Sequence, residues 1–245
     1  MKIAIFNGSP RADRGNTHVM VAEFLKGAKE AGAEVENIFL AGKKINPCNA
    51  CYACWMETPG ECTTQDDMEG LFQKVISSDV LGFATPLYVD NVTGLMKNFM
   101  DRLIPLADPH FEKDENGESR HLRKYDKPNK IIAISSCGFP EQSHFEVLRV
   151  LFRRIARNLS CELIAEIYRG GGGILQSRDA SFQPFLESYK QLLQTAGKEV
   201  VLNSKLSEDT VVQLEKPLVP IPNFAEEYRK RANKMVDERL EKLDK

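Results

Sequence analysis

The sequence predicts an α/β protein built on a parallel β-sheet with helices on both faces. Short apolar runs alternate with amphipathic helical segments five times along the 245-residue chain, and this alternation is typical of parallel sheets. Runs such as KIAIF at residues 2–6 and DVLGFA at residues 79–84 are apolar at nearly every position. Strands that are buried on both faces have this composition.

The predicted strands are short apolar runs, and the predicted helices carry an apolar stripe. Strands are expected over residues 2–6, 34–40, 79–84, 130–135 and 161–168. Apolar residues at i, i+3, i+4 and i+7, as in Val21, Phe24, Leu25 and Ala28, indicate a helix. Such stripes predict helices over residues 17–31, 66–78, 91–104, 145–159 and 181–200. Pro105 ends the third of them.

These elements suit one flavodoxin-like domain, a three-layer sandwich whose ligand lies at the carboxyl ends of five parallel strands. We expect this domain to span residues 1–205, with a polar, turn-rich insertion at 106–129. A hairpin tip is predicted at Asn116–Gly117. Residues 206–245 form a C-terminal extension with a charged helix at 225–243, which we expect to be a solvated or subunit-bridging arm.

Composition and charge exclude several classes of protein. Hydrophobic residues make up 42% of the chain, charged residues 28%, and the net charge is −2. This balance argues against broad binding to nucleic acid. No apolar run approaches the roughly 18–20 residues of a membrane span, and the first residues lack the features of a signal peptide. A cytoplasmic protein with reduced thiols is therefore expected.

The first candidate site is the loop NGSPRADRGNT at residues 7–17, which follows strand one. It matches neither the G-x-G-x-x-G fingerprint nor the Walker loop. A loop that opens on a helix N-terminus favours an anion, because free N–H groups point at it. Ser9 and Thr17 can donate hydroxyl hydrogen bonds, Arg11 adds charge, and Asn16 can cap the helix. The loop predicts a phosphate site; a plain capping loop is the alternative.

Two further loops are expected at the same edge of the sheet. PLYVDN follows strand three and SSCG follows strand four, and they contribute an aromatic ring, backbone amides and a thiol to a ligand crevice. Tyr88 could instead be a core aromatic, and Cys137 is better explained as a small buried thiol than as a catalytic one. No catalytic side chain is predicted, since neither a triad nor a carboxylate pair is evident.

Together these motifs resemble the NADPH-dependent FMN reductase superfamily, and within it the iron–sulfur flavoprotein branch. The resemblance covers roughly residues 1–165 and implies bound FMN. It assigns the FMN phosphate to Ser9, Arg11, Asn16 and Thr17. It assigns the isoalloxazine ring to Pro86, Leu87, Tyr88, Val89 and Asn91, with Ser136, Cys137 and Gly138 in the same crevice. Asp101 and Arg102 match a helix ending of the family, although a structural ion pair explains them equally well.

Four of the six cysteines are Cys48, Cys51, Cys54 and Cys62, in a cysteine-rich loop at residues 45–65. Zinc sites usually combine two distant C-x2-C pairs. The compact spacing C-x2-C-x2-C-x7-C is instead typical of iron–sulfur ligation, and it matches the motif of the iron–sulfur flavoproteins. A [4Fe–4S] cluster is therefore predicted. A reduced, metal-free loop and a zinc site remain open.

The predicted function is that of an FMN-dependent oxidoreductase that passes electrons between FMN and the cluster. NAD(P)H or a ferredoxin-like protein would be the donor and a small molecule the acceptor. The alternatives are a cluster-free NAD(P)H-dependent FMN reductase acting on quinone, nitro or azo compounds, and a zinc-loop interaction module. The resemblance also implies a homodimer or homotetramer. The 106–129 insertion is hypothesised to form a lid over the flavin.

Overall fold

The computed structural model describes residues 1–243 and has a five-stranded parallel sheet at its centre. The sheet strands are β1 (Lys2–Asn7), β2 (Glu34–Phe39), β3 (Val80–Pro86), β6 (Lys130–Ser136) and β7 (Glu162–Arg169), and β4 (Ala107–Lys113) and β5 (Ser119–Arg123) form a separate hairpin. The sheet has the strand order β2-β1-β3-β6-β7, which is the flavodoxin-like arrangement. The predicted fold class is therefore confirmed.

Helices cover both faces of this sheet and bury two apolar cores. One core lies under α1 (Asn16–Glu30), α6 (Gln183–Asn203) and α7 (Glu208–Glu215). The other lies under α3 (Met68–Ile76), α4 (Gly94–Asp101) and α5 (Glu146–Asn158). The remaining helices are the short α2 (Ala53–Met56) and the C-terminal α8 (Phe224–Leu240). Within residues 1–243, no helix is both long and apolar enough to cross a membrane.

The helix predicted over residues 91–104 is shorter than expected, because its first and last residues make other contacts. Asn91 pairs with Tyr88 in a tight turn. Thr93 is the N-cap of α4, and its side chain accepts a hydrogen bond from the backbone N–H of Met96. Pro105 lies in a separate 3-10 turn after the helix. Side-chain capping thus sets the start of α4, which the apolar stripe alone does not indicate.

The C-terminal extension divides into two parts. Leu206, Leu214 and Leu218 are buried in the core under α1 and α6, so the prediction of a solvated arm is wrong for this first part. In contrast, α8 has no buried residue over its whole length from Phe224 to Leu240.

The packing of α1 against α6 depends on two glycines. A Cβ atom added to Gly27 would lie 1.9 Å from the Gln194 carbonyl oxygen, and one added to Gly197 would lie 2.1 Å from the Phe24 carbonyl oxygen. Both distances are far shorter than atomic contact allows, and both involve backbone that cannot rotate away. The two helices approach this closely only because neither position carries a side chain.

Alanine at either glycine is expected to destabilise the fold. Gly27→Ala or Gly197→Ala should lower the free energy of unfolding by about 1–3 kcal/mol, the usual effect of overpacking. The measurement is the midpoint of urea unfolding. Gly70→Ala in α3 is the matched control, because among the described residues no atom beyond its own helical backbone and chain neighbours lies within 4 Å of the added Cβ. It should be stabilised by about 0.5–1 kcal/mol through helix propensity. Equal midpoints for all three variants would contradict the packing argument.

Candidate functional site

The predicted phosphate loop, residues 7–17, lies at the carboxyl edge of the sheet. The Gly8 N–H donates to the Ala84 carbonyl at 2.7 Å, which ties the loop to β3. Ser9 and Thr17 are almost completely buried, and the Thr17 and Ser136 hydroxyl oxygens lie 2.8 Å apart. The predicted phosphate loop after β1 and the predicted ligand-binding segment at the end of β6 therefore meet directly.

The amino end of α1 is open to an anion. Its N-cap is Gly15, and no side chain from the described residues caps it. A Cβ atom on Gly15 would lie 2.4 Å from the Ser9 hydroxyl oxygen, so a larger residue would displace that hydroxyl. Arg11 is exposed and Asn16 is half-buried, which leaves both side chains accessible to a ligand. Free N–H donors and a helix dipole favour a phosphate here.

The loop after β3 lies beside the loop after β6. Pro86 pairs with Ser136 in the sheet, and the Leu87 N–H donates to the Ser136 carbonyl at 2.9 Å. Tyr88 and Asn91 then close a tight turn with hydrogen bonds of 2.9 and 3.0 Å between their backbones. Tyr88 is 47% exposed, so it is available to a ligand and is not the core aromatic that was the alternative.

This turn contains a strained residue. Val89 has φ +49° and is 98% exposed. A β-branched side chain rarely adopts the left-handed region, and such strain costs on the order of 1–3 kcal/mol. Because strain of this kind persists where the surroundings hold it, and is common at ligand sites, it is consistent with a functional role for the loop.

Cys137 and Gly138 complete the edge after β6. Cys137 is 6% exposed, and its sulfur accepts a hydrogen bond from the Phe139 N–H at 3.3 Å. Burial raises the pKa of the Cys137 thiol. A buried, protonated thiol fits a packing role better than a nucleophilic one, while Gly138 is exposed beside it.

The four clustered cysteines surround one cavity. Cys48, Cys51, Cys54 and Cys62 all line it, and none forms a disulfide. Burial, and then the nearness of the other three thiols, raises the pKa of Cys54. Among residues 1–243, no three His, Cys, Asp or Glu side chains converge on a single metal position. The four cysteines thus line one cavity, but the described part of the chain contains no preformed metal-binding group.

A buried ion pair holds this cysteine loop in place. Arg102 and Asp66 are 2.7 Å apart, with side chains at most 1% exposed. Asp66 also accepts hydrogen bonds from the backbone and side-chain N–H groups of Asn46, at 2.9 and 3.1 Å. Burial acts to raise the pKa of Asp66, but the Arg102 and backbone hydrogen bonds outweigh it and lower that pKa. The pair therefore stays charged and joins both ends of the loop to α4.

The predicted insertion forms an antiparallel hairpin of β4 (Ala107–Lys113) and β5 (Ser119–Arg123), with Asn116 and Gly117 in its tip. It packs on the cysteine loop. The Trp55 ring N–H donates to the Ala107 carbonyl at 2.9 Å, and the Trp55 and His121 rings lie 4.6 Å apart. Arg157 of α5 holds the hairpin through Asp114 at 2.6 Å. These contacts give no support to a lid over the flavin.

Three residues of this region were missed or left ambiguous by sequence reasoning. The Thr93 hydroxyl donates to the Gly8 carbonyl at 2.8 Å and so links α4 to the phosphate loop. The sequence contained a signal for Thr93, because a threonine directly before a helical apolar stripe is typical of an N-cap. Arg102 matched only a helix ending, and Asp66 was taken as part of a helix. No local pattern connects either residue with the cysteines.

Comparisons with known proteins agree with this arrangement. The NADPH-dependent FMN reductase family matches residues 1–156, more than half of the chain. An iron–sulfur flavoprotein of Archaeoglobus fulgidus is 36% identical over 151 residues, which cover 62% of each chain. Another, of Methanocaldococcus jannaschii, is 39% identical over 106 residues, covering 43% of this chain and 53% of the relative. The matched segment thus spans little more than half the length of these relatives.

A solved structure supports the fold alone. The FMN-dependent NADH-azoreductase of Bacillus anthracis, in complex with FMN, superposes with a TM-score of 0.60 at 19% identity. The superposition covers 82% of this chain and 99% of the azoreductase. The family match and the similarity to iron–sulfur flavoproteins confirm the resemblance inferred from the motifs. The chain belongs to the NADPH-dependent FMN reductase family, and the relatives that it resembles include iron–sulfur flavoproteins.

Proposed function

We propose that this protein is an FMN-dependent oxidoreductase that passes electrons between FMN and a [4Fe–4S] cluster. The observation that carries the proposal is the ring of Cys48, Cys51, Cys54 and Cys62 around one cavity, held by a buried arginine. This cavity lies at the other end of α4 from the predicted FMN site, because Thr93 caps the helix beside the phosphate loop and Arg102, which lines the cavity, follows its last residue.

The edge loops suit FMN in both charge and shape. In this proposal the N–H groups at the start of α1, with Ser9, Arg11, Asn16 and Thr17, hold the phosphate. The loop from Pro86 to Asn91 and residues 136–138 hold the isoalloxazine ring. The exposed Tyr88 ring and the backbone amides at the edge supply the stacking surface and polar contacts that a flat aromatic cofactor needs.

The spacing of the cysteines favours a cluster over zinc. Zinc sites usually combine two C-x2-C pairs that are well separated in the chain, whereas Cys48, Cys51, Cys54 and Cys62 lie within fifteen positions. A [4Fe–4S] cube binds each thiolate at a different iron, so that its ligands surround a volume. The donor set of four cysteines is also the one such clusters use.

The two cofactors would have complementary chemistry. FMN held by the loops at the sheet edge would supply two-electron hydride chemistry, and a cluster held by Cys48, Cys51, Cys54 and Cys62 would supply one-electron transfer, so that two such transfers would match one hydride. The chain's own residues bind and orient the groups, and the hairpin and Trp55 cover part of the cysteine loop against water. We propose NAD(P)H or a ferredoxin-like protein as donor, a small molecule as acceptor, and a homo-oligomer as the working form.

The cysteine assignment predicts iron content. Protein purified without oxygen should contain about four irons and four sulfides per chain, and Cys54→Ser should lose most of both. Cys161→Ser is the control, because Cys161 lies outside the cavity and its thiol donates a hydrogen bond to the Pro128 carbonyl at 3.2 Å. This variant should keep the iron content of the wild type. The measurement is an iron and acid-labile sulfide assay with an absorption spectrum.

Other outcomes of this assay have definite meanings. Flavin bands without iron in the wild type would support the alternative, an NAD(P)H-dependent FMN reductase acting on quinone, nitro or azo compounds. One zinc per chain would instead indicate a zinc loop. Either result would refute the electron-transfer role of the cysteines.

The phosphate assignment predicts a change in FMN affinity. Ser9→Ala should raise the Kd for FMN about tenfold or more, because a hydrogen bond to a charged group contributes about 1.5–3 kcal/mol. Ser78→Ala is the matched control: Ser78 is equally buried but lies before β3, at the opposite edge of the sheet. The Kd of the Ser78→Ala variant for FMN should not change. Flavin fluorescence titration measures both values, and equal effects of the two changes would argue against the assignment.

A further inference from the structure

Arg102 is a buried cation in the wall of the cysteine cavity. The residue is 2% exposed, and its Nη2 lies 3.4 Å from the Cys62 sulfur. We propose that Arg102 raises the reduction potential of the iron–sulfur cluster, and that Asp66 partly offsets this effect. This inference rests on the proposed function, because it concerns a residue that acts on the cluster through a ligand.

Charge supplies the first part of the argument. Reducing the cluster adds one electron, and so one negative charge, without forming or breaking a bond. A fixed positive charge nearby stabilises the reduced form more than the oxidised form. The effect is large only where water does not screen it, and the buried guanidinium of Arg102 meets that condition.

Hydrogen bonding supplies the second part. Potentials of iron–sulfur clusters depend on hydrogen bonds to the ligand sulfurs as well as on charge and exposure. The Arg102 Nη2–H donates to the Cys62 sulfur, and the same nitrogen donates to the Thr64 carbonyl at 3.4 Å. Nη1 donates to the Asn46 carbonyl at 2.9 Å. The guanidinium is thus fixed on both sides of the loop and cannot turn away from Cys62.

Asp66 acts in the opposite sense. Its carboxylate lies 2.7 Å from Arg102 Nη1, so it partly cancels the positive charge that the cluster would experience. An arginine guanidinium keeps its proton in proteins, so replacing Asp66 with a neutral residue leaves the charge of Arg102 with less compensation.

Substitutions of Arg102 and Asp66 should shift the reduction potential in opposite directions, and this distinguishes a tuning role from a structural one. In an electron paramagnetic resonance titration of the holoprotein, Arg102→Gln should lower the equilibrium constant for cluster reduction about tenfold. Asp66→Asn should raise it about tenfold. Each corresponds to about 59 mV for a one-electron couple. A pair that served only to hold the loop would shift both variants in the same direction or in neither.

The control lies next to Arg102 in the chain. Asp101 pairs with Lys97 at 2.6 Å, but its side chain is 44% exposed, and solvent screens exposed pairs strongly. Asp101→Asn should therefore keep the wild-type potential. Iron per chain and the urea midpoint of each variant, measured in parallel, report whether the loop remains intact.

The Arg102→Lys variant provides a second test if Arg102→Gln fails to bind iron. Lysine keeps the charge but loses the planar fork that reaches Cys62 and Asn46 together, so its potential should lie below that of the wild type. Wild-type potentials in both Asp66→Asn and Arg102→Lys, with full iron content, would overturn this inference alone. A wild-type protein free of iron would overturn the proposed function first, and the inference with it.

Discussion

The parallel arrangement of β1, β3 and β6 is the constraint on which the candidate site depends. These neighbouring strands are buried almost throughout, so their register is strongly specified. Because they run in parallel, the loops that follow them meet at one edge. Ser136 at the end of β6 pairs with Pro86, accepts the Leu87 N–H and contacts the Thr17 hydroxyl. A slip of one residue between β3 and β6 would break these contacts.

Helix α4 connects the two candidate cofactor sites. Thr93 at its start holds the Gly8 carbonyl in the phosphate loop, and Arg102 after its end lines the cysteine cavity. Arg102 follows Thr93 by nine positions, and a helix rises about 1.5 Å per residue, so the two sites lie within the thickness of one domain. The same short helix thus fixes the phosphate loop and, through Asp66, both ends of the cysteine loop.

Local patterns were sufficient for the five sheet strands, most helices and the candidate loops. Apolar runs and stripes depend on near neighbours, and the cysteine spacing lies within fifteen positions, from Cys48 to Cys62. The predictions were less accurate where another segment decides the outcome. Leu214 belongs to the core because α1 and α6 cover it. The hairpin lies on the cysteine loop because Trp55 and Arg157 hold it there.

The sequence by itself therefore determined the fold class, the strand-to-helix loop that suits a phosphate, and the compact group of four cysteines. Only the tertiary structure decided which other residues lie around the phosphate loop and the cysteines. Thr17 and Ser136 are 119 positions apart, and Asp66 and Arg102 are 36 apart. Contacts over such separations are set by how the strands and helices pack, and this packing has no signature in local spacing. A buried ion pair in particular depends on both partners, because one buried charge without its partner strongly destabilises the fold.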